Sequence, residues 1–343
     1  MKKAALLSDF IDTYSGRIDE EIQKLFSRSP REMYGMMEYF MGYADEQFNS
    51  IQDIHAGKRF RSGLCLLIAD RYGVVNDALA AAVSIEVFHN FTLIHDDIAD
   101  KDEARRGRPA VWKLWGTNCA INTGDAQLLL ALKALAPLHE KKYGADIYAF
   151  LIERYLEVAE GQHLDFLLSD ISLDDKRVAE DLYLEMVTKK TSILVGAAAR
   201  SVGIIAETNS TEQELLSRYG LSLGLAYQLS DDASSIWGKV ERTGKDEHGD
   251  IREKKKTLPI LYALSTLSDP GREELITLYR KEAPLDHASV KRIIALLDSV
   301  DARGYMQGRI DTYRTQAHDA AEHLSLPTAD KGVLVRFANA LLL

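Results

Sequence analysis

Three carboxylates, Asp96, Asp97 and Asp100, stand as D-D-x-x-D, and Arg105, Arg106 and Gly107 follow shortly after. Asp96 and Asp100 are four residues apart and share one helix face. Carboxylates so placed repel unless a cation bridges them. Far downstream, Tyr227, Gln228, Asp231 and Asp232 form a second acidic set, trailed by Lys245, Lys254, Lys255 and Lys256. Mg²⁺ is rarely caged by carboxylates alone; it keeps waters and is completed by substrate phosphates. Two acidic sets, each with cations nearby in sequence, therefore describe a pocket for divalent cations and a diphosphate. Arg105 and Arg106 sit at a turn marked by Gly107 and Pro109 and suit bidentate phosphate contacts. The lysine-rich stretch reads as a lid over the anion. Each motif alone has a plainer reading: an acidic helix end, a solvated lysine loop, or, for His89, a satisfied core histidine.

The elements that must carry these groups are helical. Apolar residues recur at helical spacing, as in Leu182, Met186, Ile193 and Ala197. Strand-like alternation with hairpin turns is absent. No proline lies between Pro137 and Pro259, and breaks fall near Ser29-Pro30, Gly107 to Pro109, Gly144, Ser169 to Asp175, Thr208 to Thr211, Arg242 to Gly249, Ser268 to Gly271 and Pro284. Ser172 or Asp174 and Thr211 are expected N-caps. The segment Ile85 to Ile94 is too apolar for a surface helix, so the first carboxylates should sit at the mouth of something buried. With no low-complexity linker and no shift in composition, residues 1–343 read as a single all-α domain.

The bulk numbers narrow the partners. The 343 residues are 46% hydrophobic and 27% charged, with a net charge of −10. That balance argues against a nucleic-acid surface, which needs a basic patch or stripe. Two cysteines give no disulfide framework and nine histidines no paired-ligand spacing, so a reducing cytoplasm fits and a zinc site does not. The apolar start after Met1-Lys2-Lys3 is too short for a signal-peptide core. No run approaches the roughly 18 apolar residues of a membrane span, Ile193 to Ala206 coming nearest, so a soluble protein is expected.

Six motifs in order resemble those of the all-trans prenyl diphosphate synthases, over about residues 50–340. Gly57-Lys58-Arg59-Phe60-Arg61 resembles GKRxR, and Asp96 to Asp100 the first aspartate-rich motif. Arg105 to Pro109 is similar to RRGxP, Gly161 to Asp165 to GQxLD, and Lys190-Thr191 to a KT pair. Tyr227 to Asp232, with Asp250 through Pro259, resembles the second aspartate-rich motif and its lid.

The resemblance implies a single large helical bundle around a central elongated cavity, of isoprenoid synthase type. It implies that Asp96, Asp100 and Asp231 hold Mg²⁺, about three ions per site, against an allylic prenyl diphosphate. Asp97, Asp232, Gln162 and Asp165 would support that shell. Arg105, Lys190, Lys245 and Lys255 would bind the allylic diphosphate, and Lys58, Arg61, His89 and Arg106 isopentenyl diphosphate. Thr191, Gln228 and the Lys190 carbonyl would face the carbocation. A homodimer is the family habit. Two departures stand out: Ser235 where many members carry a third aspartate, and Trp112 where many carry histidine. Both fit a subgroup that also has AINxGD, here Ala120 to Asp125.

Phe91 lies five residues before Asp96, roughly one and a half turns deeper, with the small Thr92 beside it. A ring there would floor the cavity and favour a farnesyl or geranylgeranyl product; alternatively Phe91 is simply core. A longer-chain synthase, a terpene cyclase and a partner subunit of the same fold remain the other readings.

Overall fold

The computed structural model describes residues 2–51, 57, 59–238 and 248–341, and only the backbone of residues 2–9. Helices run nearly from end to end, from Lys2–Phe26 to Thr328–Leu341, so the fold is all-α as expected. The strands among the described residues are a single pair, Ala104–Arg105 and Arg108–Pro109, joined as an antiparallel ribbon. The chain divides into two compact units, Met1–Tyr155 with Ala197–Glu214, and Leu156–Gly196 with Leu215–Leu343.

In the first unit the organising element is the helix Val75–Ala99, which packs on the helices Phe60–Arg71 and Thr117–Lys133. Its first half is rich in alanine, the strongest helix former. It begins just past Gly73, whose φ of 72° favours glycine, and ends at Asp100, followed by Lys101 at φ 57°. Apolar on nearly all faces, it is a core helix. By length and composition it could cross a membrane, but 61% of its apolar window is buried within the protein.

The second unit has a core of Leu173, Tyr183, Leu229, Leu258, Leu275, Ile293 and Met306, all but Leu173 contributed by helices. Here two sequence expectations are corrected. Thr211 lies inside the helix Ser210–Trp237, and it is Asn209 whose side chain caps it, accepting from the Glu212 amide at 2.9 Å. Ser172 and Asp174 cap nothing, since the next helix, Glu180–Val187, starts after Ala179.

A third correction concerns periodicity. The segment Thr188–Ser192 is a π turn between Glu180–Val187 and the helix Ile193–Ile205. Tyr183 and Val187 before it are buried while Leu182 and Met186 are half-exposed. An inserted residue rotates everything downstream, so a single 3.6-residue period cannot run through Leu182, Met186, Ile193 and Ala197.

Candidate active site

Within the first unit, one buried carboxylate organises the cationic groups. Glu86 projects from the core helix and pairs through Oε1 with Arg59 at 3.1 Å, while Ser62 donates to its Oε2 at 2.8 Å. Arg59 also reaches Asp19 at 2.9 Å and the Tyr43 hydroxyl at 2.8 Å. A charge in an apolar interior is tolerated only when paired and hydrogen-bonded. The Arg59 guanidinium is therefore a structural strut, while Arg61, two residues on, turns to His89.

One turn beyond Glu86, Asn90 donates to the Glu86 carbonyl and carboxylate and accepts from Arg106 at 3.0 Å. Arg106 occupies the turn of the ribbon. Its φ of 55° and the 75° of Gly107 give the two positive-φ residues of a type I′ hairpin. Arginine is unusual there, since left-handed backbone favours glycine or asparagine. Asn90, the Phe40 carbonyl and the Phe40 ring, 5.6 Å from the guanidinium carbon, hold it in place. Gly57 makes room: a Cβ there would stand 2.7 Å from the Arg106 guanidinium. Arg108 is tied to the Tyr39 and Ala44 carbonyls and so anchors the ribbon. Arg105, Arg106 and Arg108 line a recess with Tyr39, Phe40, Gly42 and Pro109.

His89 receives a hydrogen bond from Arg61 at 3.1 Å. Guanidinium can only donate, so His89 Nε2 accepts and the ring carries its proton on Nδ1. Burial, reinforced by Arg61, Arg106, Arg105 and Arg59, holds this imidazole well below the ordinary range. Glu86 is the buried anion that Arg59, Arg61 and Arg106 share.

The first aspartates leave the C-terminal end of the same helix. Asp96 is half-buried, Asp100 exposed and Asp97 buried. Arg105 donates to Asp97 Oδ1 at 2.6 Å and to Asp102 at 3.3 Å. Burial pushes the Asp97 carboxyl up, against the pull of Arg105. Its Oδ2 has no hydrogen-bond partner among the described residues. Trp112 donates to the Asp102 carbonyl at 2.8 Å, so it pins the loop between the aspartates and the arginines. In the AINxGD stretch, Gly124 clears the His95 ring, which a Cβ would approach to 2.3 Å.

Phe91 is half-buried and belongs to an aromatic ladder. It meets His95 at 4.9 Å and Phe88 at 5.4 Å, and Phe88 stacks on Tyr155 at 3.8 Å. The Tyr155 hydroxyl lies 2.6 Å from Ser84 Oγ. Thr92 turns its hydroxyl back to the His89 carbonyl.

The second unit assembles the other set. Lys190 and Thr191 lie in the π turn, where Lys190 pairs with Asp165 at 2.6 Å and Thr191 donates to Gln228 at 3.2 Å. Gln228 in turn donates to Asp232 at 2.8 Å. Gly161 lets the helix Gly144–Asp170 approach this turn, since a Cβ would sit 2.3 Å from the Lys190 amide nitrogen. Tyr183 donates to Asp232, and burial raises that carboxyl to about 7. Tyr183, Glu86, Asn90 and Arg59 were not singled out by their sequence. Glu86 and Asn90 carried a signal nonetheless, as polar residues inside an apolar helix. Lys58 and Lys245 lie outside the described residues.

Among the described residues no group of three or more histidine, cysteine, aspartate or glutamate side chains is placed to hold a metal ion by itself. A hard divalent cation would be completed by water and phosphate oxygens. The unpartnered Asp97 oxygen is consistent with it.

The described residues thus form an all-α fold whose core helix carries aspartates and a neutral histidine beside a buried group of arginines. The Polyprenyl synthetase family model matches residues 46–297, and the chain belongs to that family. It is 32% identical over 317 residues to the (2E,6E)-farnesyl diphosphate synthase of Mycobacterium tuberculosis (strain ATCC 25618 / H37Rv), covering 90% of this chain and 86% of that protein. It is 36% identical over 270 residues to the geranylgeranyl diphosphate synthase of the same organism, covering 78% and 75%. A crystal structure of a geranylgeranyl pyrophosphate synthase superposes with a TM-score of 0.86 at 32% identity, covering 97% and 98%. Members of this family are trans-prenyltransferases and use divalent metal.

Proposed function

We propose that this chain condenses isopentenyl diphosphate with an allylic diphosphate to give a short-chain all-trans prenyl diphosphate, geranylgeranyl or farnesyl. The observation that carries the reading is the strutted group of Arg61, His89, Asn90 and Arg106. It is a prepared anion site apart from the aspartates, and a terpene cyclase, with one diphosphate to bind, has no need of it. Relatives named as farnesyl and geranylgeranyl diphosphate synthases support the short product.

In this reading Asp96, Asp100 and Asp231 would hold Mg²⁺, about three ions, with Asp97, Gln162 and Asp232 behind them. Bound there, the metal would neutralise charge developing on the departing diphosphate. Arg105, Lys190, Lys245 and Lys255 bind the same group, and Lys58, Arg61, His89 and Arg106 bind isopentenyl diphosphate. Ionisation leaves an allylic cation faced by Thr191, Gln228 and the Lys190 carbonyl. The isopentenyl double bond attacks it, and the released diphosphate accepts the proton then lost. Apolar walls keep water from the cation, and Phe91 ends the cavity.

The two units would work as one catalytic domain, a reading supported by divisions that fall inside helices rather than linkers. The chain would act as a homodimer. Leu129, 66% exposed, and Ile121 on Thr117–Lys133, with Tyr148 and Ile152 on Gly144–Asp170, are large apolar side chains in need of cover. Free thiols at Cys65 and Cys119 suit the cytoplasm.

The test is incubation of purified protein with Mg²⁺, isopentenyl diphosphate and dimethylallyl, geranyl or farnesyl diphosphate in turn, with product sizing. Elongation to farnesyl or geranylgeranyl diphosphate supports the reading. A folded protein that elongates no primer sinks it.

A further inference from the structure

Tyr183 is sealed in the core of the second unit, 1% exposed, and its hydroxyl donates to Asp232 Oδ2. The other oxygen of that carboxylate, Oδ1, accepts from the Gln228 amide nitrogen at 2.8 Å. The Gln228 amide oxygen in turn accepts from the Thr191 hydroxyl at 3.2 Å. A relay thus runs from a buried phenol to two half-buried groups, Gln228 and Thr191.

Its direction is fixed by chemistry. Burial, with Asp232, Asp250 and Asp165 nearby, holds the Tyr183 phenol well above its ordinary range, so it remains a donor. A carboxylate only accepts, so Gln228 must turn its NH₂ to Asp232 and its oxygen to Thr191. An amide oxygen accepts twice, and Thr191 takes one of the two places. The backbone is held as tightly. Gly220, Gly224, Gln228 and Asp232 recur every four residues along one face of the helix Ser210–Trp237. A Cβ at Gly220 would stand 2.7 Å from the Gly196 Cα, and one at Gly224 2.6 Å from the Ser192 Cα. The helix therefore lies directly on the π turn and the residues after it, and the relay spans a contact with no room to shift.

We infer that Tyr183 is a positioning residue for prenyl transfer: through Asp232 it locks the Gln228 amide with its oxygen, the negative end of the dipole, on the side of Thr191. The inference rests on the prenyltransferase reading above, in which Gln228 and Thr191 face the allylic cation. A dipole already aimed at a developing charge stabilises it without reorganising at the moment of reaction. With the amide turned over, NH₂ would face the cation and oppose it. The plainer alternative gives Tyr183 only the task of satisfying a buried carboxylate. That contact would add stability and leave the rate alone.

The experiment compares wild type, Tyr183→Phe, Gln228→Met and the double variant, with thermal unfolding followed in parallel. Initial rates are taken at saturating Mg²⁺ and at alkaline pH, above the value of about 7 to which burial raises Asp232. Tyr183→Phe keeps the ring and removes the donor. It should lower kcat by about 10- to 100-fold, the scale of a displaced positioning contact, and leave KM for both diphosphates unchanged. Gln228→Met should lose as much or more. The double variant should be no slower than Gln228→Met, because the phenol acts only through the amide. A Tyr183→Phe protein that melts lower yet keeps its kcat overturns the inference. So do losses that add in the double variant, or a Gln228→Met protein of full kcat. If Tyr183→Phe does not fold, Asp232→Asn decides. Its amide accepts from Tyr183 and turns NH₂ toward Gln228, which must then give it the oxygen and turn NH₂ toward Thr191. That protein should lose kcat even at saturating Mg²⁺, and a full kcat there overturns the inference. A wild type that elongates no primer refutes the underlying reading instead, so the wild type alone tells the two failures apart.

Discussion

Glu86→Gln keeps the shape of the side chain and removes the charge on which Arg59 depends. The Arg59 and Glu86 side chains are 2% and 3% exposed, so the guanidinium left behind has no water to turn to. Removing one partner of such a pair destabilises by about 3–5 kcal/mol. Asp19, 2.9 Å from the same guanidinium, keeps part of the compensation and sets the expectation near the low end, about 3 kcal/mol. At about 2–4 °C per kcal/mol for a unit of this size, the midpoint of thermal unfolding should fall by about 6–12 °C. Glu86 also fixes Asn90, which fixes Arg106, so KM for isopentenyl diphosphate should rise more than kcat falls. Calorimetry and initial rates measure both. Lys24→Ala is the control: its pair with Glu21 is solvent-exposed, and exposed pairs contribute little. A Glu86→Gln protein that melts within about 2 °C of wild type would refute the strut argument.

Other outcomes follow from particular contacts. Phe91→Ala should lengthen the product by at least one isoprene unit, seen by mass spectrometry of the dephosphorylated alcohols; an unchanged product would make Phe91 mere core. His89 is held neutral when folded, so as pH falls below its ordinary 6.5 the unfolded chain takes up a proton that the folded chain refuses. Stability is lost over that descent, and His89→Gln should gain relative to wild type between about pH 7.5 and 5.5; an identical difference at both values would contradict it. Gly161→Ala forces a methyl against the Lys190 amide, where backbone cannot yield. It should cost about 1–3 kcal/mol and disturb the Lys190–Asp165 pair, read by urea unfolding and kcat.

The all-α architecture was legible because apolar residues recur at helical spacing and hairpin signals are lacking. The aspartates, Arg105 and Arg106 stood out because charged groups recur at close spacing, and the Lys190-Thr191 pair stood out through the family resemblance alone. What escaped was everything whose meaning depends on a distant partner. Arg59 sits in a basic motif beside Lys58 and Arg61, and only the fold shows it facing Asp19 and Glu86 rather than a substrate. Thr211 and Asn209 are both good caps, and chain direction two residues away chose between them. Periodicity could not report the turn at Thr188–Ser192, because the method assumes the constant pitch that the turn breaks. Ser235 read as a missing acid, since nothing local announces that Asp250, on the helix Gly249–Arg252, meets its hydroxyl.

That turn has a genetic consequence. A π turn holds one residue more than the α-helical path it interrupts, so deleting a single codon within residues 188–192 would leave an uninterrupted helix. Each residue advances an α-helix by about 100°. Such a deletion would keep the flanking helices in phase yet swing Lys190 and Thr191 off Asp165 and Gln228. A single-codon deletion in the flanking buried helices instead turns everything beyond it by that angle. A scan of single-codon deletions along this region should show activity lost with the fold retained at these five positions, and the fold itself lost on either side.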